Sequence, residues 1–175
     1  MSRLSGGRTI WFTGLPSSGK TTLASAMAGR LAAEGYPVEL LDGDVVRTHL
    51  TKDLGFSRED RATNVRRIGF VAHLLSRNGV VAVCALISPY QEDRDYVRAL
   101  HNGRFFEVHV ATPVEVCAER DVKGLYAKQR SGSMQGLSGI DDPYEVPLAP
   151  EVVVQAHRQT VEESTEQIWQ ALTGS

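Results

Sequence analysis

Short apolar runs alternate with amphipathic patterns along the chain. The runs predict about five β-strands, and they lie at Thr9–Phe12, Pro37–Leu41, Val80–Ile87, Phe105–Val110 and Glu151–Ala156. Apolar residues that recur every three or four positions predict helices between them, and these fall within 23–31, Asp60–Asn78, Gln91–His101, Pro113–Arg120 and 161–172. Because strands that alternate with helices form right-handed crossovers, the pattern predicts an α/β fold with a parallel sheet covered by helices on both faces.

The segment 121–150 interrupts this alternation. It is rich in Gly, Lys, Ser and Pro, lacks sustained periodicity and is too long for an ordinary connector. A disordered linker would join two domains, but only one short strand and one helix follow the segment. We therefore expect a mobile lid near residues 121–150. With 175 residues, of which 42% are apolar, the chain predicts one domain over residues 1–175.

Charge and cysteine usage narrow the function classes. The formal charge is −2, and the basic residues of Arg120–Arg130 are few and interrupted, which argues against a nucleic-acid partner. The longest apolar run, Val80–Ile87, is too short to span a bilayer, and the first residues lack the apolar core of a signal peptide. Cys84 and Cys117 lie in apolar or amphipathic segments, as reduced thiols do. We expect a cytoplasmic protein with no membrane partner.

The stretch "GLPSSGKTT" fits the pattern G-x-x-x-x-G-K-[ST] and lies between a predicted strand and a predicted helix, as in the P-loop NTPase fold. The glycines let backbone N–H groups surround a β-phosphate, Lys20 neutralises phosphate oxygens, and the Thr21 hydroxyl can bind Mg²⁺. The predicted nucleotide-binding residues are Gly14, Leu15, Pro16, Ser17, Ser18, Gly19, Lys20, Thr21 and Thr22. The loop alone leaves open whether the nucleotide is held, hydrolysed or used as a phosphoryl donor.

Two features favour phosphoryl transfer. The Asn-Lys-x-Asp signature of guanine-binding switches does not occur, and Val80–Ile87 is followed by Ser-Pro-Tyr where many NTPases have an acidic residue. Asp42 and Asp44 follow the second strand instead, and one such carboxylate can orient an attacking hydroxyl and accept its proton. The alternative is a surface Asp-Gly turn. Because ligands of parallel sheets bind beyond the carboxyl ends of the strands, both aspartates and Ser88 are expected beside the phosphate loop.

A cluster of basic residues opens the next helix. Phe56 precedes Ser57, a typical helix N-cap, and the first turns then carry Arg61, Asn64, Arg66 and Arg67. Arginines near a helix N-terminus oppose the macrodipole unless an anion lies nearby. An aromatic ring beside Arg and Asn can hold a nucleobase. The pattern therefore predicts a site for an anionic nucleotide, although each residue singly could be an ordinary surface residue.

Six blocks in order, "GLPSSGKTT", "LDGDVVR", "LGFSREDRATNVRR", "ISPYQEDRD", "RDVKGLYAKQR" and "GIDDPYEVP", resemble the adenylylsulfate kinase family over about Thr9 to Glu163. The first block is generic, whereas the others together are specific. The resemblance implies an ATP- and Mg²⁺-dependent kinase that phosphorylates the 3′-hydroxyl of adenosine 5′-phosphosulfate (APS) to give 3′-phosphoadenylyl sulfate, a step of sulfate activation. It also implies a homodimer.

The resemblance also implies roles for individual residues. Lys20, Asp44 and Ser88 match catalytic positions, although in-line transfer between two bound nucleotides needs no phosphoserine. Arg120 and Arg130 match charges over ATP. The implied acceptor-binding residues are Asp42, Asp44, Arg47, Phe56, Arg61, Asn64, Ile87, Ser88, Lys123, Gly136 and Leu137.

The chain departs from the family pattern at two places. Leu137 stands where the family usually has a phenylalanine that forms the second wall around the acceptor adenine, a loss worth about 1 kcal/mol of stacking. Near Ala156 and His157 the usual threonine and acid are missing. Two alternatives remain open, namely a P-loop kinase for another nucleotide or small alcohol, and a nucleotide-binding module without catalysis.

Overall fold

The computed structural model describes residue 4 and residues 6–174. Residues 1–3, 5 and 175, which the single-domain prediction includes, lie outside the described residues. The described chain forms one parallel sheet with the strand order β2-β3-β1-β4-β5. Its strands are β1 (Thr9–Thr13), β2 (Val38–Asp42), β3 (Val81–Ala85), β4 (Phe105–Val110) and β5 (Val152–Val154). The predicted α/β fold with about five parallel strands is confirmed.

Helices connect the strands and cover the sheet. They are α1 (Lys20–Ala33), α2 (Gly43–His49), α3 (Arg58–Arg77), α4 (Gln91–His101), α5 (Val114–Arg120), α6 (Leu125–Arg130) and α7 (Val161–Thr173). No helix of the described residues is long and apolar enough to cross a membrane. The N-cap predicted at Ser57 is confirmed, since its side chain accepts a hydrogen bond from the Asp60 amide.

Two helices were not predicted, because both are short and lack apolar periodicity. Helix α2 begins where an Asp-Gly turn was the alternative, and the Asp42 side chain caps it by accepting from the Asp44 amide at 3.1 Å. Helix α6 lies inside the predicted lid, where the Asp121 carboxylate accepts from the amides of Tyr126 and Ala127, at 2.9 Å each. A carboxylate side chain therefore satisfies amides in the first turn of each helix.

Strand β3 ends two residues before the predicted end, at Ala85 rather than Ile87. Its neighbour β1 leaves the sheet at Thr13 to form the phosphate loop, so no strand remains to pair with. The Ile87 carbonyl instead accepts a 2.6 Å bond from the Thr13 hydroxyl, and Ser88 takes a left-handed φ of 41°. The end of the apolar run thus becomes part of the crevice.

The core has two halves, one on each face of the sheet. Alternate residues of β1 point in opposite directions, so Ile10 and Phe12 pack with Met27 of α1 on one face. Trp11 packs with Ile68 of α3 on the other face. This sandwich of helix, sheet and helix leaves the carboxyl ends of β1, β2 and β3 free to form a site.

Candidate active site

The phosphate loop joins β1 to α1 in a conformation that its sequence requires. A Cβ at Gly14 would lie 2.8 Å from the Val110 carbonyl oxygen, so only glycine fits there. Gly19, the N-cap of α1, has a φ of 106°, and Ser17 has a φ of 61°. The Thr112 hydroxyl holds the loop at Ser18 by donating to the Ser18 carbonyl at 2.7 Å. The loop is therefore shaped around the N-terminus of α1, where an anion is favoured.

Lys20 lies inside this loop. The residue is 9% exposed, and Nζ donates to the Leu15 carbonyl oxygen at 2.7 Å. Burial, with a smaller contribution from the neighbouring Lys123 ammonium, lowers the pKa of Lys20 to about 7. An anionic ligand in the loop would favour the protonated form and raise that pKa again.

Thr21 and Asp42 meet beside the loop. The Thr21 hydroxyl donates to the Asp42 carboxylate at 2.8 Å, which joins the first turn of α1 to the end of β2. The described residues contain no cluster of three or more His, Cys, Asp or Glu that could hold a metal ion alone. Mg²⁺ needs no such cage, because it usually takes one or two protein oxygens together with substrate phosphates and water. The Thr21 hydroxyl and the Asp42 carboxylate therefore fit the Mg²⁺ that the motif implies. Asp42 supplies the acidic side chain that is missing after Val80–Ile87.

Asp44 and Lys123 form an ion pair across the crevice, from the start of α2 to the predicted lid. Both side chains are solvent-accessible, with 66% of Asp44 and 52% of Lys123 exposed, so the pair contributes little to stability. The structure thus brings the predicted acid and the predicted lid lysine together. Such an exposed pair can exchange partners when a charged ligand arrives.

An aromatic platform lies on the acceptor side. Phe56 is 55% exposed, and the Arg47 guanidinium lies 4.5 Å from its ring centroid. Arg61 is 8% exposed and donates to the Phe56 carbonyl at 2.9 Å and to the Ser138 hydroxyl at 3.2 Å. Its guanidinium also donates to the Gly136 carbonyl oxygen. Arg61 therefore fastens the platform to the segment 121–150.

The other two arginines of this cluster do not support the predicted anion site. Arg67 forms a two-pronged ion pair with Asp53 at 2.7 and 2.9 Å, and Arg66 lies 3.5 Å from Asp93. Acidic side chains of the protein already neutralise both. Glu59 and Asp60 in the first turn of α3 further offset the unfavourable position of the arginines relative to the macrodipole.

The remaining acceptor residues have different surroundings. Asn64 is half-buried, and its Oδ1 has no hydrogen-bond partner among residues 4 and 6–174. Ser88 is 3% exposed, and its hydroxyl accepts from the Trp11 indole at 3.0 Å. Leu137 is 2% exposed and packs with Cys117 and Tyr126 in a small apolar cluster under the segment 121–150. Its predicted contact with a substrate base stays a prediction.

A cavity of about 180 Å³ opens on the other side of the phosphate loop. It lies between α1 and the start of α7, and Arg120 lines it and donates to the Ala156 carbonyl at 3.4 Å. Arg130, at the exposed end of α6, is not among the lining residues. The structure therefore brings one of the two predicted ATP-side arginines to this cavity.

Sequence reasoning missed three residues that hold the site together. The Tyr126 hydroxyl donates to the Pro16 carbonyl at 3.0 Å, and the Tyr144 hydroxyl lies 3.0 Å from the Thr13 hydroxyl. Arg94, 1% exposed, donates to the carbonyls of Ser88 and Glu145 at 2.5 and 2.6 Å and pairs with buried Glu107. All three belong to the sequence blocks above, but no pattern reveals such partners.

The chain is similar to proteins of known family over most of its length. A family model described as adenylylsulphate kinase matches residues 6–155. An adenylyl-sulfate kinase of Rippkaea orientalis is 57% identical over 95% of this chain and 91% of its own length. A probable adenylyl-sulfate kinase of Synechocystis is 56% identical over 95% of this chain and 93% of its own. The structure of the Mycobacterium tuberculosis APS kinase in complex with AMPPNP and APS has a TM-score of 0.91 at 40% identity, covering 95% of this chain and 98% of that one.

These similarities extend over nearly the whole chain. They also cover at least 91% of the length of each of these similar proteins. The likeness to the solved kinase also confirms the predicted P-loop fold. The chain therefore belongs to the adenylyl-sulfate kinase family.

Proposed function

We propose that this protein, acting as one domain over residues 1–175, transfers the γ-phosphoryl group of ATP to the 3′-hydroxyl of APS and releases ADP and 3′-phosphoadenylyl sulfate. The observation that carries the proposal is the crevice itself: a phosphate loop, two aspartates and an exposed aromatic platform meet at the carboxyl ends of β1 and β2. The 2.8 Å bond between Thr21 and Asp42 joins the donor half to the acceptor half. The kinase solved with both AMPPNP and APS supports this assignment.

The donor half contains the phosphate loop and the cavity beside it. Backbone N–H groups from Gly14 to Thr22 surround the phosphates, and protonated Lys20 neutralises the group that is transferred. Thr21 and Asp42 would hold Mg²⁺, which supplies positive charge to the phosphate oxygens. Arg120 lines the cavity and contacts the nucleotide there. Arg130 reaches the nucleotide only if α6 moves.

Asp44 acts on the acceptor. Its carboxylate accepts the proton of the 3′-hydroxyl while that oxygen attacks the γ-phosphorus and the bond to the β,γ-bridging oxygen breaks. Lys123, which pairs with Asp44, then turns to the negative charge of the substrates. An exposed carboxylate near such charge is free to act as a base because little protein structure depends on its ion pair.

Phe56 and its surroundings bind the acceptor nucleotide. The exposed ring stacks on the adenine, while Arg47 and Arg61 supply positive charge for the phosphosulfate. The unpartnered Asn64 Oδ1 accepts a hydrogen bond from the nucleotide. Ile87, Gly136 and Leu137 complete the pocket.

Ser88 shapes the site rather than carrying a phosphoryl group. Its hydroxyl is bonded to Trp11 in the core and only 3% of the residue is exposed. A phosphoserine would need to break that bond and bring a dianion out of the core. Direct transfer between two aligned nucleotides, with the phosphoryl charge neutralised, needs no phosphoserine.

We also propose that the protein is a homodimer in the cytosol. Exposed Phe70 and Tyr96, on helices α3 and α4, suit a contact between copies. Both cysteines are free and buried, as in reducing compartments. Light scattering after size-exclusion chromatography would give the mass of a dimer, and a monomer mass at micromolar concentration would overturn this proposal.

Turnover with a panel of acceptors tests the function. Purified protein is incubated with ATP and Mg²⁺ plus APS, AMP, other adenosine nucleotides or small alcohols, and ADP release is followed. We expect turnover with APS at micromolar concentration and little with the others. Turnover with another acceptor alone would favour a kinase of different specificity, and no turnover at all would favour a nucleotide-binding module without catalysis.

A further inference from the structure

Arg94 lies near the start of α4 with only 1% of the residue exposed. Its Nη1 donates to the Ser88 carbonyl at 2.5 Å, and its Nη2 donates to the Glu145 carbonyl at 2.6 Å and to Gln91 Oε1 at 2.9 Å. Its Nε lies 3.1 Å from Glu107 Oε1 on β4 in an ion pair. A guanidinium is planar and its donors point in fixed directions, so Arg94 holds these partners in a fixed arrangement.

The Ser88 carbonyl belongs to a turn that borders the acceptor side of the crevice. Ser88 has a φ of 41°, in the left-handed region. A residue other than glycine keeps such a conformation only where its surroundings hold it there. The preceding Ile87 carbonyl accepts a 2.6 Å bond from the Thr13 hydroxyl. The turn is therefore held from β1 on one side and by Arg94 on the other.

The Glu145 carbonyl belongs to the end of the segment 121–150, the predicted lid. The Glu145 amide donates to the Pro89 carbonyl at 2.8 Å, and its carboxylate accepts from the Gln91 amide at 2.7 Å. The Leu148 amide donates to Gln91 Oε1 at 3.1 Å. Together with the bond from Arg94, these contacts fasten this end of the predicted lid to the residues that follow β3.

The pairing of Arg94 with Glu107 explains how the guanidinium can be buried, but it does not explain why it is there. Glu107 is 2% exposed. A buried ion pair is often no more stabilising than apolar residues of similar volume. Apolar residues at these two positions would leave the Ser88 and Glu145 carbonyls without the donor that joins them. The contribution of Arg94 is therefore the relative position of two segments.

We propose that Arg94 is a positioning residue for the acceptor nucleotide, because it holds the Ile87–Ser88 turn and the end of the predicted lid in one register. The inference rests on the proposed function, which makes Ile87 part of the acceptor pocket. Arg94 is too deeply buried to touch the substrate and acts through the backbone of Ser88 and Glu145. Transfer between two bound nucleotides depends on their alignment, so a small shift of the pocket wall lowers the rate strongly.

Arg94→Lys tests the proposal. Lysine keeps a positive charge near Glu107, but its single ammonium cannot reproduce the fork that joins the Ser88 and Glu145 carbonyls. We expect kcat/KM for APS to fall by about 10- to 100-fold. The Kd for ADP and the KM for ATP should stay within about twofold of wild type, because the described hydrogen bonds of the phosphate loop do not include Arg94.

Arg98→Lys is the matched control. Arg98 lies one turn later on α4 and also pairs with Glu107, at 3.1 Å, but it extends to Glu151 at 2.5 and 3.0 Å. Within residues 4 and 6–174, Arg98 has no hydrogen bond to Ser88 or Glu145. This substitution should lower the melting temperature and leave kcat/KM for APS within about twofold of wild type. If Arg94→Lys also loses only stability, Arg94 is a structural residue and the proposal is wrong.

Amide hydrogen exchange follows the two segments directly. The amides of Glu145 and Leu148 should exchange about tenfold faster in Arg94→Lys than in wild type, the effect of losing about one hydrogen bond. Their exchange in Arg98→Lys should match wild type. Unchanged exchange of both amides in Arg94→Lys would show that Arg94 does not hold the end of the predicted lid, and it would overturn the proposal.

A second variant covers the case in which Arg94→Lys does not fold. Arg94→Met combined with Glu107→Met removes both buried charges, and such apolar replacements are often tolerated. A folded double variant should show the same loss of kcat/KM for APS, and wild-type kinetics would refute the inference. Wild-type protein without turnover of APS would refute the proposed function itself. Normal turnover in wild type and in the Arg94 variants alike would refute only the positioning role.

Discussion

The Thr21 hydroxyl and the Asp42 carboxylate are joined by a 2.8 Å hydrogen bond beside the phosphate loop. Asp42 therefore serves two helices at once, since its other oxygen caps α2 through the Asp44 amide. Removing its charge without disturbing the cap separates these two roles.

Asp42→Asn should weaken the use of Mg²⁺ and leave the fold intact. Asparagine is as good an N-cap as aspartate, so α2 should persist. A neutral amide is a poorer partner for Mg²⁺, and the half-saturating Mg²⁺ concentration should rise by about 10- to 100-fold. Initial rates over a Mg²⁺ titration measure this, with circular dichroism as the check on folding. An unchanged Mg²⁺ requirement would remove Asp42 from the proposed metal site.

Asp44→Asn should abolish most of the turnover. An amide cannot accept the proton of the 3′-hydroxyl, and loss of a general base typically costs about 10²- to 10⁴-fold in kcat. ADP affinity should stay within about twofold, because the ion pair with Lys123 is exposed. Asp95→Asn, on the exposed face of α4, is a matched control that should keep wild-type kcat. A fully active Asp44→Asn protein would contradict the assignment of the base.

Lys20 should take up a proton when nucleotide binds at alkaline pH. Its pKa is about 7 in the unliganded protein, where Asp42, Asp44, Cys117 and Lys123 are the neighbouring charged or ionisable groups. An anion in the loop raises that pKa. Calorimetry of ADP binding in buffers of different ionisation enthalpy should show uptake near one proton at about pH 8.5 and almost none at about pH 6. Lys20→Arg, which stays charged, should show none at either pH.

The same pKa predicts how the stability of the unliganded protein changes with pH. The folded pKa of about 7 lies below the ordinary value of 10.5, so between these values the unfolded chain binds a proton that the folded chain lacks. The free energy of unfolding should therefore rise with pH across that window and be insensitive to Lys20 below it. Urea unfolding of wild type and Lys20→Met isolates this contribution, and identical pH slopes would contradict it.

Ser88→Ala should lose stability while keeping activity. The Trp11 indole N–H loses its acceptor in the core, which should cost about 1–3 kcal/mol in urea unfolding. The value of kcat should remain within about tenfold of wild type, since alignment rather than a phosphoserine drives transfer. A loss of about 10³-fold or more in a folded Ser88→Ala protein would show that the hydroxyl takes part in the reaction.

Leu137→Phe should destabilise the protein without ligand and strengthen its binding of APS. The larger ring overfills the cluster with Cys117 and Tyr126, so the unliganded protein should lose about 1–3 kcal/mol. If the side chain turns to the acceptor base on binding, the added stacking of about 1 kcal/mol should lower the KM for APS by about fivefold. An unchanged KM would limit Leu137 to the apolar cluster.

The sequence predicted the parallel sheet, the phosphate loop and most helices, because these follow from local patterns and one motif. It missed α2 and α6, because both are short and lack apolar periodicity, and the carboxylates that bond to their first amides leave no sequence pattern. The positions of Arg66 and Arg67 predicted an anion site, but the structure pairs both with acidic residues. The partners of a charged side chain depend on which segments fold beside it, and residue spacing does not contain that information.

Two tyrosines show that the phosphate loop also depends on residues far away in the sequence. Tyr126 bonds to the Pro16 carbonyl 110 positions away, and Tyr144 bonds to Thr13 at a separation of 131. A truncated chain that ended before Tyr126 would still carry every letter of "GLPSSGKTT". It would lack the two hydroxyls that fasten the N-terminal part of this stretch, at Pro16 and at the preceding Thr13, so the shape of the loop is a property of the completed fold.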